Sequence, residues 1–220
     1  MNSNSLPSAG ESRNLSLRAG GGAVEAILSA PRKPRQRPGF AVVCHPHPLM
    51  GGAMSNKVAY MLASSAQQAG LYALRFNFRG VGASEGEHDK GLGETDDAVM
   101  LFEWMQAQIP GAQTVMAGFS FGGYVALGAA ARVSPDALVT VAPPFRYFED
   151  RETPQPACPW LLIHGTDDEV VPYAETASKI ETLSPKPRLV TAQGCGHFFH
   201  GRLDVVRDAV VPFLDELLQA

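Results

Sequence analysis

Cysteine is scarce in this chain: Cys44, Cys158 and Cys195 are the only three among 220 residues, and no two form a C-x-x-C pair. So odd and sparse a set argues against a disulfide framework and against a thiolate zinc site, and it fits a reducing, cytoplasmic compartment. An excess of positive charge is lacking too. Against 22 acidic side chains stand 18 basic ones, a formal net charge of -4, so there is no basic footprint for a nucleic-acid backbone. The cluster Arg32, Lys33, Arg35 and Arg37 is interleaved with prolines and reads as a solvated loop. No apolar run approaches the roughly 20 residues that span a bilayer. The opening MNSNSLPSAGESRN has neither the basic start nor the apolar centre of a signal peptide. Neither a nucleic acid nor a membrane is therefore expected as a partner. Repeats, low-complexity tracts and long linkers are absent as well, which leaves nowhere to divide the chain. The expectation is one domain over residues 14–220 behind a frayed segment 1–13, with enough apolar content, 45%, to fill a core.

What is present has a period. LSLRAG and AVEAILSA flank the Gly20-Gly21-Gly22 turn and predict an antiparallel hairpin. Short apolar runs then recur: FAVVC, LYALRF, TVMAGF, ALVTVA, WLLIHG and RLVTA. Between several of them lie helical patterns, at Asn56 to Gln68, Leu92 to Gln108, Gly122 to Arg132 and Tyr173 to Leu183, with a last one from Leu203 to Leu218. Near-continuous apolar strands bounded by helices predict an α/β fold, a mostly parallel sheet covered on both faces.

In such sheets chemistry gathers beyond the carboxyl ends of the strands. After TVMA comes Gly118-Phe119-Ser120-Phe121-Gly122-Gly123, a G-x-S-x-G between strand and helix that would push Ser120 out at the tip of a strained turn. A helix N-cap serine is the plainer alternative. A serine hydroxyl is a poor nucleophile, so catalysis also demands a base and an orienter for that base. WLLI is followed by HGTDDEVVP, which brings Asp168, with Asp167 as a rival. RLVTA is followed by QGCGHFFHG, which brings His197, with His200 as a rival nearer the last helix. The order Ser, Asp, His suits this strand-turn-helix architecture.

The motifs CHPHPLMGG, FNFRGVGASEG, GFSFGG, HGTDDEVVP and GCGHFF together resemble the α/β-hydrolase superfamily, from Val24 to the C-terminus. The likeness is greatest to small bacterial serine esterases and dienelactone-hydrolase relatives. Dienelactone hydrolases proper carry a cysteine where this chain has Ser120, which speaks against dienelactone itself as substrate. The resemblance implies Ser120 as nucleophile, His197 as base and, through the pattern HGxxDxxVP, Asp168 rather than Asp167 as orienter. An oxyanion hole would draw on the backbone N–H of Phe121 and, since Pro46 and Pro48 have none, on that of His47. The implied reaction is hydrolysis of a small-molecule carboxylic ester, with no metal and no cofactor. Amide or peptide hydrolysis is the runner-up, and a non-catalytic binding relative is the alternative from a different class.

The segment PPFRYFEDRETPQPACP is too short and proline-broken to build a helical lid. An open site walled by Leu49, Met50, Phe121, Phe145, Tyr147 and Phe198 is expected, with a preference for short acyl chains. Other readings carry less. His45 and His47 could begin a metal site, but no third ligand has diagnostic spacing. Gly80, Gly82 and Gly86 imitate a dinucleotide fingerprint, yet EHDKGLGE follows where a helix should start, so a structural loop is expected. Cys44 and Cys195 read as packing residues, Asn56 as a helix cap and Lys57 as solvated.

Overall fold

The structure, a computed structural model, describes residues 6–148 and 152–218. Eight strands form one sheet: β1 (Ser12–Ala19), β2 (Gly22–Ser29), β3 (Gly39–Cys44), β4 (Tyr72–Phe76), β5 (Gln113–Phe119), β6 (Ala137–Val141), β7 (Trp160–Gly165) and β8 (Arg188–Ala192). Their order is β1-β2-β4-β3-β5-β6-β7-β8. The hairpin β1–β2 is antiparallel and β2 runs antiparallel to β4, while every pair from β4 to β8 is parallel. Burial alternates along β1, the edge strand, whereas β3, β5, β6 and β7 are buried throughout. Parallel strands with helices on both faces have no wet side, hence the continuous apolar runs in the sequence.

Five α-helices cover the sheet: α1 (Lys57–Gln68), α2 (Leu92–Gln108), α3 (Phe121–Val133), α4 (Tyr173–Ile180) and α5 (Leu203–Leu217). The two-residue period of β3 divides the core. Phe40, Val42 and Cys44 join Leu101, Phe102 and Met105 of α2 and Val125 and Leu127 of α3. Ala41 and Val43 join Val58 and Leu62 of α1 and Val206, Val210 and Leu214 of α5. Each large aliphatic or aromatic side chain so buried contributes about 1.5–3 kcal/mol relative to exposure.

The elements fall close to their predicted places; α1 begins at Lys57 rather than Asn56 and α5 ends at Leu217 rather than Leu218. α4 stops at Ile180 rather than Leu183, because Thr182 and Leu183 donate to carbonyls three residues back in a tightened last turn, ahead of Pro185. α3 starts at Phe121 rather than Gly122, immediately after the serine. Of the segment expected to fray, residues 1–5 lie outside the described residues. Leu6 packs against the core, the N–H of Ala30 donates to the carbonyl of Glu11, and β1 already begins at Ser12.

The connection from β6 to β7 builds no lid: among its described residues the one helical element is a single 3-10 turn, Phe145–Phe148. No helix among the described residues is long and apolar enough to cross a membrane. All loops that follow the parallel strands therefore meet, uncovered, at one edge of the sheet.

Candidate active site

Between β5 and α3 the chain reverses at Ser120, whose backbone takes φ 54°, ψ -125°. This conformation is strained for a residue with a Cβ and needs a frame that imposes it. Its N–H donates to the Val141 carbonyl at 2.8 Å, and its carbonyl accepts from Gly123 N–H at 2.8 Å. The flanking glycines make the turn possible: a Cβ at Gly118 would stand 2.0 Å from the Gly122 oxygen, and one at Gly122 would stand 2.2 Å from the His45 oxygen. Strand, helix and the β3 loop thus touch backbone to backbone beneath the serine.

Ser120 Oγ lies 3.0 Å from His197 Nε2, and His197 Nδ1 lies 2.8 Å from Asp168 Oδ2. These side chains come from the loops after β5, β8 and β7, and all three are buried. Asp168 Oδ1 accepts from the N–H groups of Val170 and Val171 at 2.9 and 2.7 Å. Burial works against the charge of this carboxylate. Hydrogen bonds from His164, His197 and Val171, together with the field of His197, nevertheless hold it well below the usual carboxylate range. Asp167 is exposed and takes the Thr166 hydroxyl, and His200 is exposed and stacked on Phe198. Two neighbours were not foreseen. Glu169 accepts the His197 N–H at 3.2 Å, and His164 Nε2 stands 3.2 Å from Asp168 Oδ2.

The loop after β3 is held by His45. Its Nδ1 is 2.6 Å from the Pro46 carbonyl, so that nitrogen carries the proton, and its Nε2 accepts from the Phe78 N–H at 2.9 Å. Burial lowers its pKa from the usual 6.5 to about 4, partly opposed by the Pro46 hydrogen bond. With both ring nitrogens taken by backbone, His45 has none left to pair with His47 on a metal. The His47 ring lies 4.8 Å from that of Phe121, on the serine's side of the loop. Phe121 opens α3, where first-turn N–H groups have no partner within the helix. Burial and the nearness of His88 lower the pKa of His47, with Glu94 acting in the opposite sense.

A cavity of about 490 Å³ opens at Ser120, walled by His47, Met50, Phe121, Tyr147, Phe148 and Val171 among others. Of the walls expected from sequence, Met50, Phe121 and Tyr147 are there. Leu49 is not: it stands 71% exposed beside the mouth. Phe145 faces the other side of the 3-10 turn, into a neighbouring cavity with Arg146, Glu175 and Lys179, and Phe148 takes the place expected for it. Phe198 stands edge-on to the His197 ring at 5.0 Å and covers it rather than lining the cavity. His88 and Lys90 also line it; they come from EHDKGLGE, the loop read as structural. His88 Nδ1 is 2.8 Å from Glu94 Oε1 but out of line for a hydrogen bond. The H-x-x-x-x-x-E spacing, with the glutamate in the first turn of α2, was the one available signal. Cys44 and Cys195 are buried, and burial drives the Cys44 thiol well above its ordinary range. Asn56 caps α1, accepting from Val58 and Ala59, and Lys57 is exposed.

A serine at a strained strand-to-helix turn, hydrogen-bonded to a histidine on a sheet without a lid, is the arrangement of an α/β serine hydrolase fold. The family model of X-Pro dipeptidyl-peptidases (S15 family) matches residues 30–153, over half of the chain, including Ser120. The chain belongs to this α/β-hydrolase family, among the members without a lid. A solved α/β serine hydrolase without lid from Xanthomonas campestris is 38% identical and superposes with a TM-score of 0.91 over 99% of both chains. An α/β serine hydrolase homologue from Coxiella burnetii is 36% identical, with a TM-score of 0.89 over 96% of this chain and 100% of that one. An uncharacterised Rickettsia prowazekii protein is 32% identical over 187 residues, 80% of this chain and 78% of its own.

Proposed function

We propose that the protein is a serine carboxylesterase for small or short-chain acyl esters, working through Ser120, His197 and Asp168. The observation that carries the reading is the continuous chain from Ser120 Oγ through His197 to Asp168, with separations of 3.0 and 2.8 Å, at the floor of an open cavity. Ser120 Oγ attacks the ester carbonyl while His197 Nε2 takes its proton; Asp168 keeps the imidazole in the tautomer that can do so. The oxyanion faces the N–H groups of Phe121 and His47, and the α3 N-terminus adds its positive end. On collapse, His197 returns the proton to the departing alcohol, leaving Ser120 acylated. Water, deprotonated by the same imidazole, then releases the acid and restores the serine. No metal or cofactor takes part in these steps. A cytoplasmic location suits the three unpaired thiols.

Peptide or amide hydrolysis is the second reading, favoured by the match to a peptidase family model. The test is one panel of p-nitrophenyl esters, X-Pro p-nitroanilides and simple anilides at equal concentration. Ester turnover at least about a hundredfold above that of every amide is the expected result. Faster X-Pro anilide cleavage assigns a peptidase, and no turnover of any substrate assigns a binding protein.

A further inference from the structure

We infer that Asp168 is shared between two imidazoles, and that the inner one, His164, is a positioning residue that sets the carboxylate for His197. The inference rests on the triad reading above. His164 closes β7 and is fully buried. Its Nε2 lies 2.9 Å from the Val171 carbonyl, which can only accept, so that nitrogen carries a proton. The same N–H lies 3.2 Å from Asp168 Oδ2, while Nδ1 is buried with no partner. His164 is thus a fixed donor through Nε2 rather than a second base.

Oδ1 holds the Val170 and Val171 N–H groups and Oδ2 holds His197, while the His164 N–H, given first to the Val171 carbonyl, stands 3.2 Å from Oδ2 as a second donor at ion-pair distance. Val171 is gripped twice, its N–H by Asp168 and its carbonyl by His164, so the loop that carries the aspartate is clasped to the strand it leaves. A side chain needed only to fill the end of β7 would be apolar; a buried imidazole with one idle nitrogen carries a desolvation cost that filling alone does not offset. The other titratable groups nearby are few. Tyr173 of α4 stands edge-on to the His164 ring at 5.8 Å and its hydroxyl pairs with Thr191. Glu169 faces the His197 N–H, and Asp167 is exposed. β6 has no charged residue, the one charge of β8 is Arg188 at its far end, and α5 turns Val206 and Val210 to the core.

The test compares wild type with His164→Leu, which removes the donor, His164→Gln, whose amide nitrogen can occupy the Nε2 position, and Ser120→Ala as control, on p-nitrophenyl acetate. Activity in Ser120→Ala would sink the triad reading, and this inference with it. With that control inactive, the leucine variant is expected to lose kcat by about tenfold or more at nearly unchanged KM. Its deficit should deepen as pH falls, because a carboxylate short of one donor takes up a proton at higher pH. The glutamine variant should recover most of kcat. A glutamine variant no better than leucine, or a leucine variant with wild-type kcat and pH profile, overturns the inference. A measurement on the wild type does not depend on the variants folding: with 15N-labelled histidines, His164 should carry its proton on Nε2. A His164 ring protonated on Nδ1 alone would have no hydrogen to give Asp168 and would overturn it equally.

Discussion

On the side of the cleft formed by the loops after β5, β7 and β8, Ser120 Oγ, both ring nitrogens of His197 and both oxygens of Asp168 are hydrogen-bonded. On the side formed by the loops after β3, β4 and β6, His47 Nδ1 and His88 Nδ1 are buried without a hydrogen bond, and Met50 and Tyr147 stand 83% and 60% exposed. On the proposed triad reading the first side is preorganised, its groups already holding the geometry that proton transfer needs. The second offers mainly apolar contact. On the proposed reading, chemistry and recognition are carried by different loops, and a change in one need not disturb the other.

The largest effect should come from the saturated side. Ser120→Ala is expected to lower kcat by about a thousandfold or more without changing the melting temperature, and a fluorophosphonate probe should label Ser120 alone. Near-wild-type turnover, or labelling of Cys195, would remove the chemical half of the contrast. Next comes the acid stability of the loop under the recognition side. The folded pKa of His45 is about 4 against the usual 6.5, so the unfolded chain takes up its proton first as pH falls. Stability from this group is complete above about pH 6.5 and is lost between there and about pH 4, by up to about 3 kcal/mol. Asp168, depressed in the folded state, is lost only below the usual carboxylate range, so the two windows separate. Urea midpoints at pH 7.5 and 5 measure the first, and equal midpoints would contradict it.

Smaller effects belong to the recognition side itself. Because Met50 and Tyr147 leave the cavity open to solvent, an acyl chain should bury only its first few methylenes, each worth about 0.8 kcal/mol. The ratio kcat/KM should therefore peak at short chains, and rates should rise smoothly through the solubility limit of the ester. A sharp activation at that limit, or a preference for chains beyond about a dozen carbons, would mean the walls close as a lid does. Smallest of all, Met50→Ala and Tyr147→Ala should change KM by about two- to fivefold and leave kcat nearly alone, since exposed side chains give up little on truncation. A fall in kcat equal to that in kcat/KM would show that the two sides are not separable.

The saturated side was the more legible from sequence, for a physical reason. Strand ends follow from apolar period, and a residue one turn past a parallel strand has nowhere to go but the common edge, which is why Ser120, Asp168 and His197 meet. The recognition side depends on which way a ring turns in a short loop, and period says nothing about that. FRYF announced two phenylalanines, but only the 3-10 turn decides that Phe148 faces Ser120 while Phe145 faces away. From sequence His164 reads only as a strand-end residue, because its nearness to Asp168 arises from a turn that doubles back on its own strand. Glu169 escaped because it acts on backbone, which leaves no pattern of side-chain types.

Ser120 shares its left-handed φ with Ala142 after β6 and Phe199 after β8, non-glycine residues at the same sheet edge. An engineer seeking a hardier variant would look first at Ala142, where glycine relieves backbone strain; at Phe199 the same change would also empty the place of a fully buried aromatic ring. Relief would not come free, because glycine also widens the conformations open to the unfolded chain, by about 0.4–1 kcal/mol. It would also slacken the frame that presses the serine outward. Heat tolerance in this molecule is therefore better sought at the far end of the sheet, where rigidity can be added without altering the turn that holds Ser120 outward.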